Sequence, residues 1–158
     1  MAGLIVRMNE GDTAVDRGAA GLHAEFGYEI VLQSELIGHN EKLAGIQSGE
    51  TLIIHGHGST TKLGGLKATE LAKLLADSGL RGPVKILLYA CKGGMTGAPF
   101  ALELKVALLQ GHKIMCSVMG AKGVLARTRA TGEWGVKSSD GTKVPMDSKS
   151  TYSTTCSF

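Results

Sequence analysis

Two short stretches of this 158-residue chain contain the residue types from which covalent chemistry is built: His55-Gly56-His57-Gly58-Ser59 and Cys91-Lys92-Gly93-Gly94. A cysteine thiolate attacks a carbonyl carbon once an imidazole has taken its proton, and the imidazolium then protonates the departing amine. Glycines beside these residues leave backbone N–H groups unshielded, so the N–H groups of Gly58 and Cys91 are candidate donors to an oxyanion. Other chemistries draw on the same side chains. His55, His57 and Cys91 supply three of the four ligands of a zinc site, although no fourth stands out nearby. Lys92-Gly93-Gly94 before a helix is a candidate anion loop, but it lacks the Walker spacing. A cysteine at a strand end is also an ordinary small core residue, and His-Gly-His-Gly an ordinary turn.

The elements that must hold these residues alternate along the chain. Gly3–Met8, Glu29–Gln33, Thr51–Ile54, Val84–Ala90 and Lys113–Met119 are apolar runs that predict buried strands. Thr13–Phe26 carries Val15, Ala19, Leu22 and Phe26 at helical spacing, with Gly27 as its stop. Ala68, Leu71, Ala72 and Leu75 mark a second helix closed by Gly79, and Pro99–Gln110 predicts a third. Such alternation describes a mostly parallel sheet inside a three-layer α/β domain. Sites in such sheets form beyond the carboxyl ends of the strands, where both stretches fall. After Gly120 the sequence turns polar and glycine-rich. Val124–Val136 and Thr142–Met146 predict hairpin-like β structure turning at Ser139-Asp140-Gly141, and residues 147–158 read as a loose tail.

Composition narrows the classes further. Charged residues make up 20% and apolar residues 43%, ordinary for a globular domain, and no run reaches the roughly 18 apolar residues of a membrane span. Three scattered cysteines (Cys91, Cys116 and Cys156) and no recognisable secretory signal predict reduced thiols in a cytoplasmic environment, including that of a host cell into which the protein is injected. Cys116 reads as core and Cys156 as incidental, while His23 and His112 flank helix ends and read as structural. From Gly120 to Pro145, five basic residues (Lys122, Arg127, Arg129, Lys137 and Lys143) stand against Glu133 and Asp140, whereas the rest of the chain balances at 12 and 12. Clustered cations of this kind suit a polyphosphate, and equally form a solvated surface. Nothing in the pattern points to nucleic acid.

The order of these motifs resembles that of the clan CD, or caspase-like, cysteine peptidases. There a hydrophobic strand ends in His-Gly and a later one ends in Ala-Cys or Gly-Cys. Here Leu52-Ile53-Ile54-His55-Gly56-His57-Gly58 precedes Ile86-Leu87-Leu88-Tyr89-Ala90-Cys91. The nearest likeness is to the autoprocessing cysteine peptidase domains of large bacterial toxins, of the multifunctional-autoprocessing RTX and large clostridial types. Gly56-His57-Gly58 matches their Gly-His-Gly, Gly65–Ala72 matches a following helix, and Ala121–Val136 matches a basic β-flap. The likeness runs from about Leu4 to Met146.

That resemblance implies a peptidase domain over 1–146 with a basic β-flap at 120–146 and a tail at 147–158. It implies cleavage of a polypeptide substrate through a thioester, with Cys91 as nucleophile, His57 as base and His55 as the alternative base. No metal or cofactor is implied for the chemistry. Inositol hexakisphosphate is implied as an allosteric activator, held by Lys122, Arg127, Arg129, Lys137 and Lys143, with Arg7, Lys62 and Lys92 as further candidates. The toxin domains cleave a linker just before their first strand, where this sequence begins, so cleavage in trans is expected, by an effector or toxin component. The orienting carboxylate found in some relatives is left open between Asp12 and Glu35. Two other classes remain beside the peptidase: a catalytically silent module of the same fold that binds an inositol polyphosphate or another anion, and a metal site on His55, His57 and Cys91.

Overall fold

The computed structural model describes residues 3–9, 11–37, 41–58, 62–89, 100–121, 124–127, 134–137, 143–145 and 151–154. In chain order its elements are β1 (Gly3–Arg7), α1 (Thr13–Phe26), β2 (Glu29–Leu32), α2 (Gln33–Leu36), β3 (Thr51–His55), β4 (Lys62–Leu63), β5 (Leu66–Lys67), α3 (Ala68–Asp77) and β6 (Val84–Tyr89). These are followed by α4 (Phe100–His112), β7 (Cys116–Ala121), β8 (Val124–Arg127), β9 (Trp134–Lys137), β10 (Lys143–Pro145) and β11 (Thr151–Thr154).

Five strands pair in parallel in the order β2-β1-β3-β6-β7, and β11 adds an antiparallel edge beside β7. Alternate residues of the central strands feed two cores, as the two-residue period of a strand requires. Leu4, Val6, Leu52, Ile54, Ile86 and Leu88 face the layer built with Leu36 of α2, Leu71 and Leu75 of α3 and Phe100 and Leu104 of α4. Ile5, Ile53, Leu87 and Tyr89 face Leu22 of α1. Helices therefore cover both faces of a mostly parallel sheet, the three-layer α/β arrangement expected from the apolar strands.

Each of the first four expected strands forms: the first two end one residue earlier, the third one residue later, and Ala90, the expected end of the fourth, lies outside the described residues. The fifth begins later, at Cys116: Lys113 takes a left-handed conformation (φ 57°), and the pairing with β6 opens with Val84 N–H on the Met115 carbonyl at 3.1 Å. The loose tail is corrected: Thr151–Thr154 is β11, registered on Val118–Ala121. The open side of β7 offers unpaired backbone groups, and a β-prone Thr-Tyr-Ser-Thr segment satisfies them without needing an apolar face. The short hairpin β4–β5 and the single-turn α2 were not foreseen. The helix matched to Gly65–Ala72 begins only at Ala68, because Leu66–Lys67 is spent on β5. In the carboxy-terminal part, β8, β9 and β10 form an antiparallel three-stranded sheet; the turn at Ser139–Gly141 lies outside the described residues.

Candidate functional site

The strand order sets where a site can lie. β1 leads through α1 to β2 on one side, whereas β3, β6 and β7 follow on the other, so the direction of winding reverses between β1 and β3. A crevice opens beyond the carboxyl ends of strands at such a reversal. Beyond β1 come Asn9 and Asp12; beyond β3 comes His57.

Asp12 is held by the helix it starts. Its backbone is extended, and its Oδ1 accepts the Val15 N–H at 3.0 Å, the usual way an aspartate caps a helix amino terminus. Its Oδ2 lies 2.8 Å from His57 Nε2. The bond from His57, and next that from Val15 N–H, hold the Asp12 carboxyl below its ordinary value. An ionised carboxylate only accepts hydrogen bonds, so the shared hydrogen belongs to His57 Nε2 and the ring's Nδ1 is left as its basic nitrogen. His57 is exposed. Its backbone is clamped on both sides, with its N–H donating to Asn9 Oδ1 at 2.8 Å and its carbonyl accepting Gly64 N–H at 2.8 Å. The second bond belongs to the bridge between Gly58 and Leu63, which ties the β4–β5 hairpin to the loop after β3.

His55, two residues earlier, is a different kind of histidine. It shares the α1-facing side of β3 with Ile53, and it is 6% exposed. Its Nδ1 donates to the Tyr89 carbonyl at 2.7 Å. Burial pushes its pKa down, the Tyr89 carbonyl pulling the other way. The helix makes room for this ring: a Cβ on Gly18 of α1 would run into His55 Nε2. Tyr89 itself is buried, which pushes its hydroxyl up to about 12.

The other sequence-derived residues divide clearly. Glu35 does not join His57; it accepts the Leu32 N–H at 3.2 Å and lies 3.8 Å from Lys42 Nζ. Arg7 is largely buried and pairs with Asp16 at 3.1 Å across the β1–α1 interface. Lys62 lies on a groove between the β4–β5 hairpin and α4, with Lys67, Leu102 and Val106, and His57 does not line it. Arg127, Lys137 and Lys143 stand in β8, β9 and β10, with Lys137 opposite Lys143. Cys91, Lys92, Lys122 and Arg129 lie outside the described residues. Cys116 is buried in the core, as expected, and His23 bonds the Tyr28 carbonyl at 2.6 Å near the end of α1. Among the described residues, no group of three or more His, Cys, Asp or Glu side chains is arranged to hold a metal ion. Also among them, no helix is long and apolar enough to cross a membrane.

Sequence reasoning missed Asn9. The signal was present: an asparagine directly after an apolar strand, before Gly11 and Asp12, is a frequent choice for a left-handed turn residue.

No family model matches the chain, and no curated protein matches it. Among solved structures it aligns with the aromatic-amino-acid aminotransferase of Burkholderia pseudomallei, which is covalently bound to pyridoxal phosphate. Identity is 13% over 75% of this chain, the TM-score is 0.29, and the chain spans 30% of the aminotransferase. A superposition that loose carries no argument about fold or activity.

Proposed function

We propose that the chain is a cysteine peptidase of caspase-like type, in which His57 activates Cys91 and Asp12 orients His57. The observation that carries this reading is the register of β3 on β6. His55 lies opposite Tyr89, and His57 and Cys91 each follow their strand partner by two residues. The parallel pairing brings both strands to the same carboxyl edge of the sheet, where His57 already has a carboxylate on Nε2. In this reading Nδ1 of His57 takes the thiol proton as Sγ attacks the scissile carbonyl. The imidazolium, stabilised by Asp12, then protonates the leaving amine, and water attacks the thioester to release the acid and the thiol. Backbone N–H groups of Gly58 and Cys91 are assigned to the oxyanion.

His57 rather than His55 takes the part of base because only His57 is open to solvent and joined to a carboxylate. The basic residues on and around β8–β10 are assigned to inositol hexakisphosphate as an activator. A peptide library with leucine among its P1 residues, incubated with and without that phosphate, tests the function. Cleavage is expected to vanish in Cys91→Ala and in His57→Ala while both stay folded by circular dichroism. Persistence of cleavage in either variant rejects these roles, and absence of calorimetric binding at physiological salt rejects the activator.

A further inference from the structure

We infer that Asn9 is a positioning residue that joins the base to its carboxylate, its side chain fixing the backbone of His57 and its main chain fixing that of Asp12. The inference rests on the reading of His57 as the base and adds a residue that reading does not use. The β1–β3 ladder ends at Arg7 and His55, with one further backbone bond from Met8 N–H to the His55 carbonyl at 2.8 Å. Past that point the next link is not a ladder bond. Asn9 Oδ1 reaches across to the His57 N–H at 2.8 Å, while the Asn9 carbonyl accepts the Asp12 N–H at 3.1 Å. One residue therefore sets two groups that lie 45 positions apart in sequence and meet at 2.8 Å.

Two local features make the link possible. Asn9 has φ 49°, a left-handed conformation that asparagine adopts more readily than most residues. Gly56 lets the chains approach: a Cβ there would sit 2.8 Å from Asn9 Oδ1 and 2.6 Å from Met8 Cβ. A side chain at position 56 would thus push Asn9 away from His57. The first glycine of Gly56-His57-Gly58 has this packing reason, apart from any contact with substrate.

Two substitutions separate the side-chain bond from the turn. Asn9→Gly keeps the left-handed backbone and the carbonyl bond to Asp12 but deletes Oδ1. Asn9→Asp restores an acceptor at the same place. Two readouts are taken at neutral pH: the imidazole nitrogen resonances of His57, which report its tautomer, and the rate at which a peptidyl electrophile alkylates Cys91. In the wild type the Nε2–H tautomer should dominate. Asn9→Gly should mix the two tautomers and slow alkylation roughly tenfold to a hundredfold, as expected for a displaced catalytic group. Asn9→Asp should recover both to within about threefold of wild type. An unchanged tautomer and rate in Asn9→Gly would overturn the inference, as would an Asn9→Asp protein as slow as Asn9→Gly. Alkylation that survives His57→Ala would instead bring down the catalytic reading itself, an outcome the resonances tell apart.

Discussion

His55 and His57 leave the same strand two residues apart and meet opposite surroundings. His55 is enclosed between β3, β6 and α1, its ring over Gly18 and its Nδ1 on a carbonyl, so its charged form is disfavoured. His57 is open to solvent, its Nε2 on the Asp12 carboxylate. The contrast teaches what a base needs: a partner that welcomes the proton, and access to the group that gives it. His55 is built to remain neutral and fill space. His57 leaves its Nδ1 open for the proton transfer that the proposed reaction needs.

Exchanging the two effects should give the largest response. His57→Ala should lower turnover by at least about a thousandfold, with little change in stability, because an exposed ring contributes little packing. His55→Ala should do the reverse, lowering stability by about 2–4 kcal/mol in chemical denaturation through the cavity it leaves. A His55→Ala protein that stays fully stable would break the comparison.

Next in size is Gly18→Ala. Helix propensity alone would gain about 0.5–1 kcal/mol, yet overpacking against the fixed His55 ring should turn this into a loss of about 1–3 kcal/mol. In a double-mutant cycle with His55→Ala much of that loss should disappear. Independent, additive effects would show that the two do not touch.

Asp12 sharpens the comparison from the other side. Asp12→Asn keeps an oxygen to cap α1 and should stay within about 0.5 kcal/mol of wild type, whereas Asp12→Ala should lose about 1 kcal/mol of helix capping. Both remove the carboxylate from His57 and should slow turnover at least about tenfold. Equal turnover in Asp12→Asn and wild type would show that the carboxylate does not orient the ring.

The smallest effect is on pH. The folded pKa of His55 lies below its ordinary 6.5, so the unfolded chain binds more protons in the window beneath that value. Its stabilising contribution is whole above 6.5 and is lost as pH falls toward the depressed folded value. Asp12, also depressed, acts in a lower window, its contribution present above 3.8 and lost as pH falls through its folded pKa. Urea midpoints measured from pH 7 to pH 5 should therefore fall, and His55→Gln should flatten the fall. An equal slope in both proteins would refute the assignment to His55.

The frame was legible in the sequence because buried parallel strands are continuous apolar runs that need no partner to be recognised. Ile53, Leu87 and Leu52 announce themselves. β11 was not legible, since Thr151–Thr154 is held by the backbone edge of β7 and carries no apolar pattern of its own. The β4–β5 hairpin is too short to show any period. At the site, His57 and His55 were visible as residue types, but what separates them is where β3 ends: His55 is its last residue, packed under α1, and His57 lies beyond it. In the sequence Asp12 is only one of two candidate orienting carboxylates; in the structure it also caps α1, its two oxygens serving the cap and the imidazole separately. Asn9 acts through a side-chain bond spanning 48 positions, a distance no local pattern reports.

The most direct test of the central claim is to map the thiol that a peptidyl electrophile bearing leucine at P1 modifies, with and without inositol hexakisphosphate. One adduct on Cys91, lost in His57→Ala and faster with the phosphate, is the expected result. No adduct on Cys91 with any of several P1 residues, while Cys156 reacts as an ordinary thiol, would contradict it.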